Sequence, residues 1–295
     1  MGVPILPRPR KAMFMCVAPR SQCSEWGWMW LEWELMLRTV KTTRYVVPLR
    51  EGGSLPAILE ADDQGMYVVK FRGAGQGPLA LIAELVAGEI ARALGLRVPE
   101  IVFAEVDPAL GRNDPDYEIR QLLKASHGRN LGLDYLPGST TYDPAAKDEV
   151  GAEEASLVVW LDAFVMNVDR TARNANLLMW HRKLYLIDHG AALYAHHDWA
   201  GMAGKAEARF EAVKEHVLLG KATRIAEAGA VARERLGRAV FEAIVAEVPE
   251  EWLERIASGE SAAEKRAAYV DFLTRRLTGS RGFEEEARDA AERLI

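Results

Sequence analysis

The second half of this chain carries a helical pattern except at one place, and that place narrows the choice of fold more than any other. Asn174-Ala-Asn-Leu-Leu-Met-Trp180 reads as a strand, His181-Arg-Lys183 as a turn, and Leu184-Tyr-Leu-Ile187 as a returning strand. A hairpin brings its two ends together, so Asn174 and Asp188 should lie side by side with Asp169 just outside them. A carboxylate, a carboxamide a short way on and a second carboxylate after a strand pair are what phosphoryl transfer uses. One Asp accepts or orients the acceptor hydroxyl, and the Asn and the other Asp hold magnesium ions that bridge the nucleotide phosphates. Asp and Asn are also common turn formers, so Asp169 and Asn174 taken alone read equally as loop residues. Asp188-His-Gly190, at the end of an apolar strand, is what favours the site.

Upstream the pattern is one of strands. Arg44-Tyr-Val-Val-Pro-Leu49 and Leu55-Pro-Ala-Ile-Leu59 predict two, joined by Arg50-Glu-Gly52-Gly53-Ser54. Gly52 and Gly53 can take positive φ and expose N–H groups to phosphate oxygens, although the same residues also serve an ordinary hairpin turn. Met66-Tyr-Val-Val-Lys-Phe71 is the third strand. Its Lys70 either snorkels to solvent or reaches nucleotide phosphates when a carboxylate holds it. Pro78 to Leu94 predicts a helix with a stripe of Leu81, Ile82, Leu85, Val86, Ile90 and Leu94, stopped by Gly95.

On that helix Glu84 is flanked by Ala80, Ala87, Gly88 and Ala91, all small, so this face can approach a sheet closely and Glu84 can supply the carboxylate. Glu89 points away and is expected in solvent. A fourth strand falls within Leu96 to Val106, a short helix near Tyr117 to Ser126, and a fifth strand in Asn130 to Leu136, broken by Pro137-Gly138. Asp148 to Met166 is a long amphipathic segment running into Asn167-Val-Asp169, and several helices follow Gly204. Strands first and helices second predict an α+β protein with two lobes.

Bulk properties remove other classes. The length of 295 residues is ample for a core. A net charge of −6 gives no support for a nucleic-acid binder. No apolar run approaches bilayer length, so no membrane span is expected. The two cysteines, Cys16 and Cys23, both lie near the start, which excludes a disulfide scaffold or cysteine-ligated zinc in the main domain and makes a reducing cytoplasm the simplest compartment. The first residues differ from the rest: Met1 to Arg10 is rich in Pro and Arg, and Trp26, Trp28, Trp30 and Trp33 crowd together. Ala12 to Ala18 is at the short limit for a signal-peptide core and is followed by Pro19-Arg20. Residues 1–38 are therefore read as an extension outside the fold, with Met36 as a candidate start.

A Gly-rich turn, a strand Lys70, a helix Glu84, Asp169-x-x-x-x-Asn174 and Asp188-x-Gly190, in that order, resemble the protein-kinase-like fold. Within it the chain resembles the HipA-like atypical Ser/Thr kinases, with distant similarity to the phosphoinositide kinases. The segments that carry this are Val68-Val-Lys70-Phe, the Glu84 helix running into Ala93-Leu-Gly-Leu-Arg-Val-Pro99, and Asn167 to Asn174, within a stretch from about Thr39 to Asp198. The resemblance implies an N-terminal antiparallel sheet plus one helix, residues 39–136, as a nucleotide-binding lobe. It implies a mainly helical lobe, residues 137–295, with the catalytic and metal-binding loops. It further implies ATP and Mg²⁺ as cofactors, Lys70 on the α- and β-phosphates and paired with Glu84, and Gly52, Gly53 and Ser54 over the phosphates. Asp134, Tyr135 and Leu136 would hold adenine. Asp169 would act as the catalytic carboxylate, and Asn174 and Asp188 as the metal ligands.

The chain departs from the pattern at three points. Thr171 stands where many relatives carry Lys or His, so that Arg173 or Arg170 would have to supply charge to the γ-phosphate. His189 replaces a common Phe, and the phosphate-covering loop is poor in glycine. The acceptor is then a Ser or Thr hydroxyl of an unidentified protein, or else a small molecule or lipid on the same fold. A nucleotide-binding pseudokinase scaffold is the reading from another class. His189, His196, His197 and Asp198 also invite a zinc reading, but they lack one-turn helical His spacing, and His196 and His197 are expected to be loop or packing residues. Trp160 and Trp180 are expected in the core.

Overall fold

The computed structural model describes residues 37–49, 55–107, 109–112, 114–146 and 149–294. The first lobe contains β1 (Thr39–Pro48), β2 (Ala57–Ala61), β3 (Met66–Lys70), α1 (Gly77–Ala93), β4 (Ile101–Val106), α2 (Tyr117–Ala125) and β5 (Gly128–Asp134). Strand parity separates its two faces. Tyr67 and Val69 of β3 point inward with Val40, Leu59, Val102, Ala104 and Val106 to form one cluster. Ile101, Phe103 and Leu131 face outward and pack against α1 as part of the main core. Lys70 has the outward parity.

The strands form the expected N-terminal sheet and close it into a barrel in the order β1-β2-β3-β5-β4, antiparallel except where β1 meets β4. The reason lies in β1, which begins at Thr39, before the predicted Arg44. Its first residues pair parallel to β4 (Thr39 with Phe103, Lys41 with Glu105). Its later residues pair antiparallel to β2, with register shifts between Thr42 and Arg44 and between Tyr45 and Val47. Such bulges bend and twist a strand, so one strand serves two neighbours. Leu37 and Arg38 take part as well: the Leu37 N–H donates to Glu247 Oε2 (3.1 Å), and Arg38 Nε to Glu100 Oε1 (2.8 Å).

The small face of α1 does what its composition suggests. A Cβ on Gly88 would sit 2.7 Å from Ile101 Cδ1, so a larger residue there would displace the end of the Ile101 side chain, and glycine lets α1 approach β4 without that shift. The opposite side is covered too, and here the expectation for Glu89 fails. Glu89 is 2 % exposed and pairs with Arg92 at 2.7 Å. Helical periodicity locates a face without telling what packs on it, and α1 also meets α5 (Arg238–Ala246) and α6 (Glu250–Leu253) of the second lobe.

The second lobe is built around α3 (Ala152–Phe164), which is buried on nearly every side. Trp160 is fully enclosed and stacks on Phe164 at 5.0 Å; Trp180 is only half-buried. A small sheet of β6 (Thr140–Thr141), β7 (Leu177–Trp180) and β8 (Lys183–Leu186) lies beside it. His181 and Arg182 both have positive φ, 48° and 60°, as a two-residue type I′ hairpin requires. Short 3-10 segments (Tyr194–His197, Trp199–Lys205, Glu211–Glu215, Leu219–Lys221) connect to α4 (Ile225–Arg235), α5, α6, α7 (Ala262–Thr278) and α8 (Gly282–Glu292).

Arg276 of α7 is buried and donates to the carbonyls of Ala163, Phe164, Ala206 and Ala208, closing the C-terminal end of α3. Its burial lowers the guanidinium pKa to about 9. Among the described residues no helix is long and apolar enough to cross a membrane.

Candidate active site

Three elements converge on one ammonium group. Lys70 from β3 places Nζ 2.5 Å from Glu84 Oε2 of α1 and 2.5 Å from Asp188 Oδ1, just past β8. Lys70 is nearly buried, Glu84 fully so, and Asp188 half-exposed. Burial alone would raise the Glu84 carboxyl, but Lys70, and then His189, hold it down at about 2. Burial likewise opposes the charge on Lys70, yet the two carboxylates raise its pKa above the ordinary value. Asp188 has φ of 53°, a left-handed conformation that Asp tolerates better than most residues and that recurs at functional turns.

His189 follows it with no exposure at all, its Nδ1 3.5 Å from Glu84 Oε1. Neither that oxygen nor either ring nitrogen of His189 has a hydrogen-bond partner. The position that is often Phe is thus still a packing position.

The loop before β7 supplies the second group. Asn174 Nδ2 donates to Asp169 Oδ2 (2.7 Å), and the Asp169 N–H donates to Asn167 Oδ1 (3.2 Å). The hairpin begins at Leu177 rather than at Asn174. Its mouth is sealed one residue earlier by Ile187 N–H donating to Asn176 O (3.1 Å), so Asn176 lies opposite Ile187. Asn174 rests on Asp169, and Asn176, which the sequence reading passed over, also reaches it, with Nδ2 3.4 Å from Asp169 Oδ2. The repeated Asn-x-Asn was the available signal.

The two arginines separate cleanly. Arg173 is exposed on the loop. Arg170 is 1 % exposed and turned inward onto Asp162, so it is not available to a phosphate.

Asp134 closes β5, and its N–H and that of Tyr135 donate to Glu100 O (2.8 Å) and Met66 O (2.9 Å); Leu136 is buried. Gly52, Gly53 and Ser54 lie outside the described residues. A second glycine-rich turn, Gly73-Ala-Gly75-Gln-Gly77, joins β3 to α1 and also went unread in the sequence. With Lys70 and Gly190 it borders a small cavity, and Gly77 has φ of 63°. His196 is buried with Nδ1 3.0 Å from Tyr269 Oη, and burial lowers its pKa to about 3, the mark of a packing residue. Among the described residues no three His, Cys, Asp or Glu side chains cluster as a metal site.

Residues 44–281 match the family model described as HipA-like kinase. No curated protein sequence gives a match. Among solved structures, the proinflammatory kinase CtkA of Helicobacter pylori aligns with a TM-score of 0.50 at 13% identity, over 87% of this chain and 98% of that one. A Golgi casein kinase gives 0.43 at 12% identity, over 87% and 72% of the two chains. The Golgi casein kinase with Mn/ADP bound gives 0.36 at 13% identity, over 83% and 74%. At such identities the CtkA likeness speaks to the fold alone, a two-lobed kinase fold. The family match runs from Arg44 to Arg281, most of the chain, and the protein belongs to the HipA-like kinase family.

Proposed function

We propose that this kinase transfers the γ-phosphate of ATP, with Mg²⁺, to a Ser or Thr hydroxyl of a protein. The observation that carries this is Lys70 held at 2.5 Å by both Glu84 and Asp188, beside the Asp169–Asn174 loop. Nucleotide would lie between residues 39–136 and 137–295, with adenine near Asp134, Tyr135 and Leu136 and the phosphates under Gly52, Gly53 and Ser54. Lys70, positioned by Glu84, meets the α- and β-phosphates. As the acceptor oxygen bonds to the γ-phosphorus, the bond to ADP breaks and the acceptor proton passes to Asp169. Arg173 is the loop guanidinium still facing solvent once Arg170 is buried, which supports it as the γ-phosphate contact.

The donor set fits a hard divalent ion. Asn174 donates its amide N–H to Asp169, which turns its carbonyl oxygen away, and Asp188 is a half-exposed carboxylate. Two protein oxygens suit Mg²⁺, which keeps water and phosphate oxygens as its other ligands. Bound there, the ion neutralises charge on the phosphates; the protein residues hold and orient the reactants.

Titration calorimetry with ATP and Mg²⁺ tests the assignment. Asp188→Ala should lose Mg²⁺-dependent ATP binding, and Asp169→Ala should bind as wild type and not turn over. Wild-type turnover in both variants would contradict the site. Binding without turnover in the unmutated protein would favour a scaffold role.

A further inference from the structure

Asp162, two residues before the end of α3, is fully buried and touches no substrate in the scheme above, yet three side chains from two separate segments meet on it. Its Oδ1 accepts from Asn167 Nδ2 (2.9 Å), and its Oδ2 accepts from Arg170 Nε (2.5 Å) and His216 Nε2 (2.9 Å). Burial would raise its carboxyl, but Arg170 and His216 outweigh that and hold it well below the usual range.

Each donor leads towards the reacting groups. Asn167 accepts the Asp169 N–H. The Nη1 of Arg170 donates to Asn176 O and, at 3.3 Å, to Ile187 O, the residue before Asp188. One guanidinium therefore spans the Asp169 loop and both strands of the hairpin mouth.

His216 brings in a part of the chain remote in sequence, between the 3-10 segments Glu211–Glu215 and Leu219–Lys221. The Leu218 N–H donates to its Nδ1 (3.0 Å), which leaves the ring proton on Nε2, aimed at Asp162. The backbone around it pairs with the catalytic loop directly: Thr171 bridges to His216, and the Val217 N–H donates to Arg170 O (3.1 Å).

We propose that His216 and Asp162 are positioning residues for phosphotransfer: the His216–Asp162–Arg170 relay ties the segment of residues 211–221 to the loop that carries Asp169 and sets that carboxylate's place. This rests on the phosphotransfer reading of Asp169. A buried charge-assisted hydrogen bond is directional, and a catalytic group must be held to within about 0.5 Å. Loss of the His216 bond should therefore act on turnover rather than on ATP binding, because Asp162 keeps Arg170, which still holds the Asn176 and Ile187 carbonyls beside Asp188, and Lys70 and Glu84 belong to another lobe.

The test uses the full chain with Mg²⁺ and ATP, water serving as probe acceptor, and reads kcat, KM, the Kd for ATP and the melting temperature. His216→Gln keeps a donor that can reach Asp162. His216→Asn keeps only the acceptor for Leu218, and His216→Phe keeps neither. The Asn and Phe variants should lose about 10- to 100-fold in kcat, with ATP Kd changed by less than about twofold, while Gln recovers most of the rate. Asp162→Asn, which retains an acceptor without the charge, should fall with the Asn and Phe variants. The relay is refuted if Gln loses as much as Phe, if the losses track melting temperature alone, or if all four variants turn over as wild type while Asp169→Ala is dead. Should Asp169→Ala itself keep wild-type turnover, it is the phosphotransfer reading that fails.

Discussion

Glu84→Gln isolates the buried ion pair, and its effect can be worked from the structure. Glu84 is fully enclosed, bonded to Lys70 at 2.5 Å, and its carboxyl is held at about 2 against an ordinary 4.5. A carboxyl lowered by folding contributes stability that is complete above its unfolded pKa and is lost as pH falls through the folded one. The displacement is worth about 3 kcal/mol at neutral pH, and somewhat under half of it is gone by about pH 3.5. Glutamine does not titrate. At neutral pH the variant should be destabilised by about 2 to 3 kcal/mol, less than for an orphaned buried ion because Lys70 keeps Asp188. Urea unfolding followed by tryptophan fluorescence from about pH 7 to about pH 3.5 gives the gap between the two proteins. The gap should narrow by about 1 kcal/mol on acidification. A constant gap would mean that Lys70 does not hold the carboxyl down, and a widening gap would mean that burial outweighs the pair; either refutes the reasoning.

Two further predictions concern packing. Gly88→Val puts a branched side chain where a Cβ alone would meet Ile101 Cδ1 at 2.7 Å; it should cost about 1 to 3 kcal/mol by urea unfolding and shift α1, raising KM for ATP through Glu84. Trp160→Ala empties the centre of the second lobe beside Phe164 and should cost about 3 to 5 kcal/mol in the same assay.

What could be read in the sequence was local. Lys70 has strand neighbours of alternating burial, Glu84 has small residues around it on one helix face, and Asp188 follows an apolar strand; each environment is written within a few residues of the group. The pairings that connect distant segments were not legible. Closure of the barrel depends on Thr39 to Lys41 finding β4 far along the chain, and their own pattern does not name that partner. Arg170 looked like a loop cation because what buries it, Asp162 on α3 and two backbone carbonyls of the hairpin, appears only when those pieces are assembled. Glu89 was misplaced for a related reason: one helix serves two lobes, and periodicity describes only one dry side well. The region from Tyr194 to Lys221 folds as 3-10 turns, whose short runs leave no helical period to find. Asp162 and His216 sat in it, or packed against it, without a motif.

The most direct test of the central claim is transfer of label from γ-labelled ATP with Mg²⁺, to the protein itself or to an added polypeptide, by the wild-type chain and by Asp169→Ala. The account predicts label on Ser or Thr with the wild type and none with the variant, at equal ATP affinity. Equal labelling by both would contradict the assignment of Asp169, and failure of the wild type to bind ATP would contradict the kinase site as a whole.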